Sequence, residues 1–482
     1  MVLERDAYKR RYDHVQRQVR KYPPSELIPA LAAFAADPEG DLSRERILGR
    51  RPWAVAALAK ESIIRSNEYR SAALPPGIVT QLIGAFDWAM EIREPFRGTA
   101  HLLVPVLFEQ IRYQDVGREG LARTLALFVD TPLPPAAGPD VAAWDDLLGM
   151  SLADMVKATF VLWVLVNRNG GIYDSEAWDK PEMQSVLDHY PRTILELTAQ
   201  RLTATVEEAK EDYRQSPQLP RHMERYAYNP LTRTPLIDLG DRGIVAPQPA
   251  LILMSATPES LFYLGAKEWD KDFLTQLGHR FEAYVGRQLR SVSAFEVHSE
   301  VVYTHRRSEA KSVDWIVVSA EAVILIECKA RRAILSARAG GDELAKHYVD
   351  KLDEGRKQIN RTVERIEEGH ESFAFVPRDR PIIGLIVTAE PFYGANDPEF
   401  TRHMRDAKVP IQVASVSDLE EFLCLPDARI APKLLEVVQD DEMFAWTLSS
   451  TLAGEELGRN SVLDDAWDRL NLAPSDEVTA GE

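Results

Sequence analysis

Cysteine is nearly absent from this 482-residue chain, with Cys328 and Cys424 the two it has. That excludes a framework of several disulfides, and without a CxxC or HExxH spacing there is no zinc signature. Long apolar runs are missing too. The most apolar stretch, ATFVLWVLV at 158–166, is far shorter than the roughly 20 residues of a membrane-crossing helix. A core helix is expected there instead. The start, MVLERDAYKRRYDHVQRQVR, is charged from its fourth residue and has no apolar secretory segment. The expectation is a cytoplasmic chain with no membrane contact. No GxxxxGK[ST] loop is present: GAKEWDK and GGDELAK lack its spacing and its hydroxyl residue, so an ATP-driven step would need a partner. No repeat of fixed period occurs, and the ten histidines show no ligand spacing.

What is there is acid. The formal charge of −18 argues against a protein that coats nucleic acid indiscriminately. The charge is uneven, however. Between His279 and Arg365, 16 Lys and Arg outnumber 13 Asp and Glu. The length suggests two or three domains. Residues 1–215 read as helical, with apolar residues at three- and four-residue steps, as in TILELTAQRLTATVEEAKEDYR. This part is expected to recognise a target or to oligomerise. Its basic start, from Lys9 to Lys21, reads as a solvated helix face, GGIYD (170–174) as a lone glycine turn, and its tryptophans as core. Residues 216–265, rich in Pro, Tyr and Thr, read as an irregular β-containing linker or small subdomain. From 266 to 440 the pattern alternates. A helix over 271–290 precedes a strand at 295–304 and two more at SVDWIVVS and AVILIECKA. A long helix over 342–368 and strands at 381–387 and 410–416 follow. Ser417 and Glu420 have capping-box spacing before a last helix. Residues 441–482 read as an acidic tail. The fold class is α+β or α/β and multidomain, with a mixed sheet in the second half.

In ILIECKA (324–330) two opposite charges interrupt a buried strand. Side chains alternate along a strand, so Glu327 and Lys329 share a face with Val323 and Leu325, and Cys328 points the other way. The preceding strand carries Asp314. If the turn centres between Ala320 and Glu321, Asp314 faces Glu327. Carboxylates so close repel unless a cation lies between them. Mg²⁺ or Mn²⁺ suits two carboxylates, with the Cys328 carbonyl as a further oxygen. Lys329 beside it could hold the attacking water or neutralise a phosphate. The turn SAEA has no Gly or Asn to fix this register, and a one-residue slip would separate the acids. The plainer reading is a salt bridge at a strand end. Glu282 and Gln358 lie on the flanking helices, where a solvated role is the plainer one.

A helix glutamate, a D-x12-E-x-K hairpin and a helix glutamine together resemble the PD-(D/E)xK nuclease superfamily. VDWIVVSAEAVILIECKA looks most like its Holliday-junction-resolvase-like, restriction-type and nuclease-related-domain branches. The resemblance covers roughly 270–425. It implies a restriction-endonuclease-like αβββαβ core in which Asp314, Glu327, Cys328 and Glu282 hold Mg²⁺ or Mn²⁺. Lys329 would be the catalytic lysine, with Gln358 near the substrate. Val313 stands where the motif has its nominal proline. The implied activity is phosphodiester hydrolysis, of DNA first, in restriction of foreign DNA or in repair. Arg306, Arg307, Lys311, Arg331, Arg332 and Arg338 flank the hairpin and could grip the backbone or form a solvated rim. The alternatives are a non-cleaving or partner-gated nucleic-acid-binding module and an oligomeric scaffold.

Overall fold

The computed structural model describes residues 2–36, 49–90, 99–113, 117–339 and 344–471. Part of the loop before the expected 342–368 helix and the last residues of the expected tail lie outside them. The longer helices are α1 (Val2–Val19), α2 (Pro24–Ala35), α3 (Pro52–Arg65), α4 (Ile78–Met90), α5 (Thr99–Gln110), α6 (Arg118–Phe128), α7 (Leu152–Arg168), α8 (Arg192–Leu202) and α9 (Val206–Gln215). The second half adds α10 (Pro258–Arg290), α11 (Leu344–Glu367), α12 (Val416–Phe422), α13 (Asp427–Gln439) and α14 (Ser461–Asp468). The apolar stretch at 158–166 lies in α7, which buries Val156, Leu162 and Val166.

Two sheets matter. A small one joins β1 (Ile172–Tyr173), β4 (Ile244–Val245), β3 (Leu236–Asp238) and β2 (Thr203–Thr205), in that order. Here the sequence reading needs correcting. Residues 216–265 do contain strands, but β3 and β4 complete a sheet begun in the helical half rather than standing apart from it, and GGIYD enters a strand rather than a lone turn. Strands β3 and β4 pair locally with each other, whereas their pairing with β2 and β1 far upstream leaves no local signal. The main sheet runs β11 (Ile411–Ser415), β10 (Ile382–Thr388), β9 (Val323–Lys329), β8 (Trp315–Val318), β5 (Glu296–Ser299). It is mixed: β5, β8 and β9 pair antiparallel, whereas β9, β10 and β11 pair parallel. The apolar run Val323–Ile326 that opens β9 suits a central strand covered on both faces.

The covers differ. On one face α11 lays Leu344, Tyr348, Leu352, Ile359 and Val363 at helical spacing over Val323, Leu325 and Ile386. On the other, Phe273, Leu277, Phe281 and Val285 of α10 meet Ile324 and Ile326. That second core continues into Leu121, Leu125, Val156 and Leu195 of the helical half, and into Leu434 and Leu463 near the C-terminus. The expected boundaries therefore do not divide the core. Helix α10 begins at Pro258, inside the expected linker, and bends at Asp270, whose φ of +46° leaves the helical region. The expected acidic tail buries Val462, Leu463 and Ala466 of α14, which packs on α6. The expected strand at 295–304 also splits. Strand β5 stops at Ser299, and a separate hairpin forms from β6 (Val302–His305) and β7 (Ser308–Lys311). The last capping box is Ser415 with Asp418, not Ser417 with Glu420, because α12 starts two residues earlier than the spacing suggests.

One charged network fastens the two halves. Arg123 of α6 donates to both carboxylate oxygens of Glu420 on α12, at 2.6–2.9 Å. Tyr284 of α10 donates to the same carboxylate at 2.5 Å, and Gln288 donates to the Tyr284 hydroxyl at 2.8 Å. Asn460 closes the ring on Gln288 at 2.8 Å. Removing one partner of a buried pair leaves the other charge uncompensated. Glu420→Ala should therefore lower the unfolding free energy by about 3–5 kcal/mol in urea denaturation. A loss below about 1 kcal/mol would mean the network does not hold the halves together.

Candidate active site

The antiparallel pairs of β8 and β9, Trp315 with Ile326 and Val318 with Val323, set the register expected from the turn centre. The turn device was missed. Ser319 replaces the absent Gly or Asn: its hydroxyl accepts the N–H groups of Glu321 and Ala322, at 3.2 and 3.1 Å. Continued by one pair, the register sets Asp314 against Glu327 on the α11 face. Asp314 lies just before β8 and is held there by its carboxylate, which accepts the Cys328 N–H at 2.7 Å. The Val313 N–H is taken by Thr362 of α11 at 3.1 Å. Two glycines let the helices close in. A Cβ on Gly286 of α10 would meet the Trp315 ring at 2.2 Å. One on Gly355 of α11 would touch Glu327 Cγ at 3.5 Å.

Glu327 is 3% exposed, and its Oε2 has no hydrogen-bond partner. Its Oε1 accepts from Lys329 Nζ at 2.7 Å. So Glu327 and Lys329 do form the plain ion pair, yet half of the carboxylate is left over. Burial, then Glu327 and Glu282, push Asp314 up to about 8 against the pull of the Cys328 N–H and Lys329. Burial pushes Glu327 up to about 7; Lys329 opposes, and Glu282 and Glu300 add to the rise. Glu282 is raised by burial as well, with His279 opposing. The site has a surplus of negative charge and an unused buried oxygen, which are the conditions a divalent cation relieves.

Not every expected ligand arrives. Among the described residues, no three His, Cys, Asp or Glu side chains form a metal-holding group. Glu282 turns toward His279, 3.6 Å away and one helical turn back, and is not gathered into a three-carboxylate cluster. The Cys328 side chain joins the opposite core, and burial keeps its thiol well above its usual range. The Cys328 carbonyl is the better donor, since its N–H already points to Asp314 and the two groups of a strand residue face the same neighbour. Asp314 and Glu327 with that carbonyl and water make an all-oxygen set of the kind Mg²⁺ takes. Gln358 does reach the site's support: it donates to the Ser312 carbonyl at 3.0 Å, two residues before Asp314. His279 and Glu300 were missed. His279 was legible as the i−3 neighbour of Glu282, whereas Glu300 acts through space alone.

The six flanking cations divide. Arg306 and Arg307 are exposed at the tip of the β6–β7 hairpin, both at positive φ. Lys311 pairs with Glu300 at 2.9 Å, and Arg331 is exposed. Arg332 and Arg338 are the corrections. Arg332 pairs with Glu390 at 2.5 Å and donates to the carbonyls of Pro258 and Glu259, and Arg338 pairs with the other oxygen of Glu390. Their guanidiniums tie the start of α10 to the loop after β9, although the buried Nε of Arg332 has no partner. Comparison with protein-family models, with curated proteins and with solved structures finds no match to this chain.

The raised acids fix a sign. In the folded state both carboxyls keep protons that the unfolded chain has released. Their stabilising contribution is complete below about pH 4 and lost as pH rises toward 8. Without divalent ions, Asp314→Asn should thus melt at least about 2 °C above the parent at pH 8.5, with the gap shrinking toward pH 4. Parallel melting curves for the two proteins across that range would refute the buried-acid account.

Proposed function

We propose that this chain is a divalent-metal-dependent nuclease, hydrolysing phosphodiester bonds of nucleic acid, with DNA the first substrate to try. One observation carries the reading: a half-buried and a buried carboxylate face each other at the end of the central strands, the buried one with a free oxygen, and a lysine on the same strand face stands beside them. The order helix, three antiparallel strands, helix and parallel strand around this pair supports the resemblance to the PD-(D/E)xK superfamily. Strand β11 beyond them and the inserted hairpin are compatible additions. The small sheet and the helical half lie outside that resemblance.

Asp314, Glu327 and the Cys328 carbonyl would hold the ion. When bound, it lowers the pKa of water and offsets charge on the phosphate. The rest falls to the chain's own side chains. The Cys328 N–H fixes one oxygen of Asp314 and leaves the other to turn to the site. Lys329 Nζ, oriented by Glu327, is placed to hold the attacking water or a phosphate oxygen. Gln358 fixes the chain ahead of Asp314 through the Ser312 carbonyl. In this reading Arg306, Arg307 and Arg331 meet the backbone.

Purified protein with Mg²⁺ or Mn²⁺ should cut nucleic acid, and Asp314→Asn and Lys329→Ala should each slow cleavage at least about a hundredfold. Both variants cutting like the parent would place the chemistry elsewhere. Protons compete for the same oxygens, so Mn²⁺ affinity measured by calorimetry should rise at least about tenfold from pH 6 to 8. An affinity flat with pH would rule out Asp314 and Glu327 as ligands.

A further inference from the structure

One large cleft runs between the helical half and the main sheet, about 2120 Å³ in volume. Small-molecule sites span roughly 300–1,000 Å³. Glu282, Cys328 and Lys329 line it, so it reaches the side chains next to the acid pair. Its walls carry Arg112 and Arg201 from the helical half, and Lys267, Lys271, Arg331 and Lys351 from the second half. None of these six cations has an ion-pair partner among the described residues. Three of the seven acids of the lining are taken by arginines already. Glu109 holds Arg225, Asp212 holds Arg233, and Glu390 holds Arg332 and Arg338. A chain of net charge −18 thus leaves a group of its unpaired cations in one cleft. Cations spread along a cleft and left without partners suit a ligand whose anions repeat.

The lining also offers rings. Tyr263 is 53% exposed, with Phe262 edge-on to it at 5.4 Å. Trp53, only 5% exposed, lines the cleft with an indole N–H that has no acceptor. A buried donor without an acceptor points to a ligand group that is polar as well as charged. In a duplex the bases stack on one another and present no faces to such rings, whereas a single strand presents every base.

We propose that this cleft binds a single strand of nucleic acid, leading it between the helical half and the sheet to Lys329. This deepens the nuclease reading and rests on it for what happens at the strand's end. The six cations follow the phosphates, Tyr263 stacks a base, and the helical half is one wall of the substrate channel.

The test is fluorescence anisotropy with full-length Asp314→Asn protein, which keeps the cleft. The probes are labelled dT20, rU20 and a 20-base-pair blunt duplex. Either single strand should bind at least tenfold tighter than the duplex, and dT20 against rU20 decides the sugar. Lys267→Gln with Lys271→Gln, both exposed, should weaken that binding at least tenfold and reduce its salt slope by about 1.4. Tyr263→Ala should weaken it about fivefold or more. Duplex binding as tight as single-strand binding, or single-strand binding indifferent to the paired lysine change, overturns the proposal. Wild-type protein with Mn²⁺ separates the two readings. Cutting of duplex without affinity for single strands would sink the cleft and leave the nuclease. Tight single-strand binding with no cutting would sink the nuclease and leave the cleft.

Discussion

Everything at the candidate site depends on one hydrogen-bonded register, that of β8 on β9. Side chains alternate with a period of two, so a slip of one residue would send Asp314 to the α10 face and leave Glu327 behind. Several weak devices guard against the slip. The Ser319 hydroxyl shapes the turn, the Cys328 N–H ties Asp314 across, and Thr362 holds the residue before it. Val317, Ile324 and Ile326 meet the α10 core, whereas Ile316 and Leu325 meet α11. With the wrong face outward, both cores would lose their apolar partners at once.

The register holds the two acids where neither would ionise easily. A buried oxygen without a partner and two carboxyls driven upward are costs that packing alone does not offset. Such costs persist where they serve chemistry. The same logic separates Arg332 and Arg338 from the cations of the cleft. Glu390 bridges both and ties them to the fold, whereas Lys267, Lys271 and Arg331 stay open to an outside anion.

Much of this was legible in residue order. The alternation in VILIECK and SVDWIVV gives the strands and the shared face of Glu327 and Lys329, and the spacing of Leu344, Tyr348 and Leu352 gives α11. Other features had no local signal. Strands β3 and β4 form a short hairpin with each other, but the sheet they join is completed by β1 and β2 tens of residues upstream. Helix α10 runs through Asp270, where the chain leaves helical geometry, so its first turns looked like loop. The hairpin tip turns on Arg306 and Arg307 in the left-handed region, which the usual Asn-Gly signal would not flag. Arg332 and Arg338 resembled a rim because their partner, Glu390, lies more than fifty residues on.

Helix α14 follows the main sheet in sequence but packs on α6, beside the Arg123–Glu420 network. Arg118 of α6 reaches Asp464 at 2.6 Å, and Arg469 pairs with Asp130 at 2.5 Å. The last described helix is thus clasped to α6 of the helical half, across the main sheet from it in sequence. This limits how such a protein can change by recombination. A crossover that exchanged the first half for a foreign one would leave α14 facing a stranger. The lineage can vary its helical half by point substitution, or exchange it only together with α14.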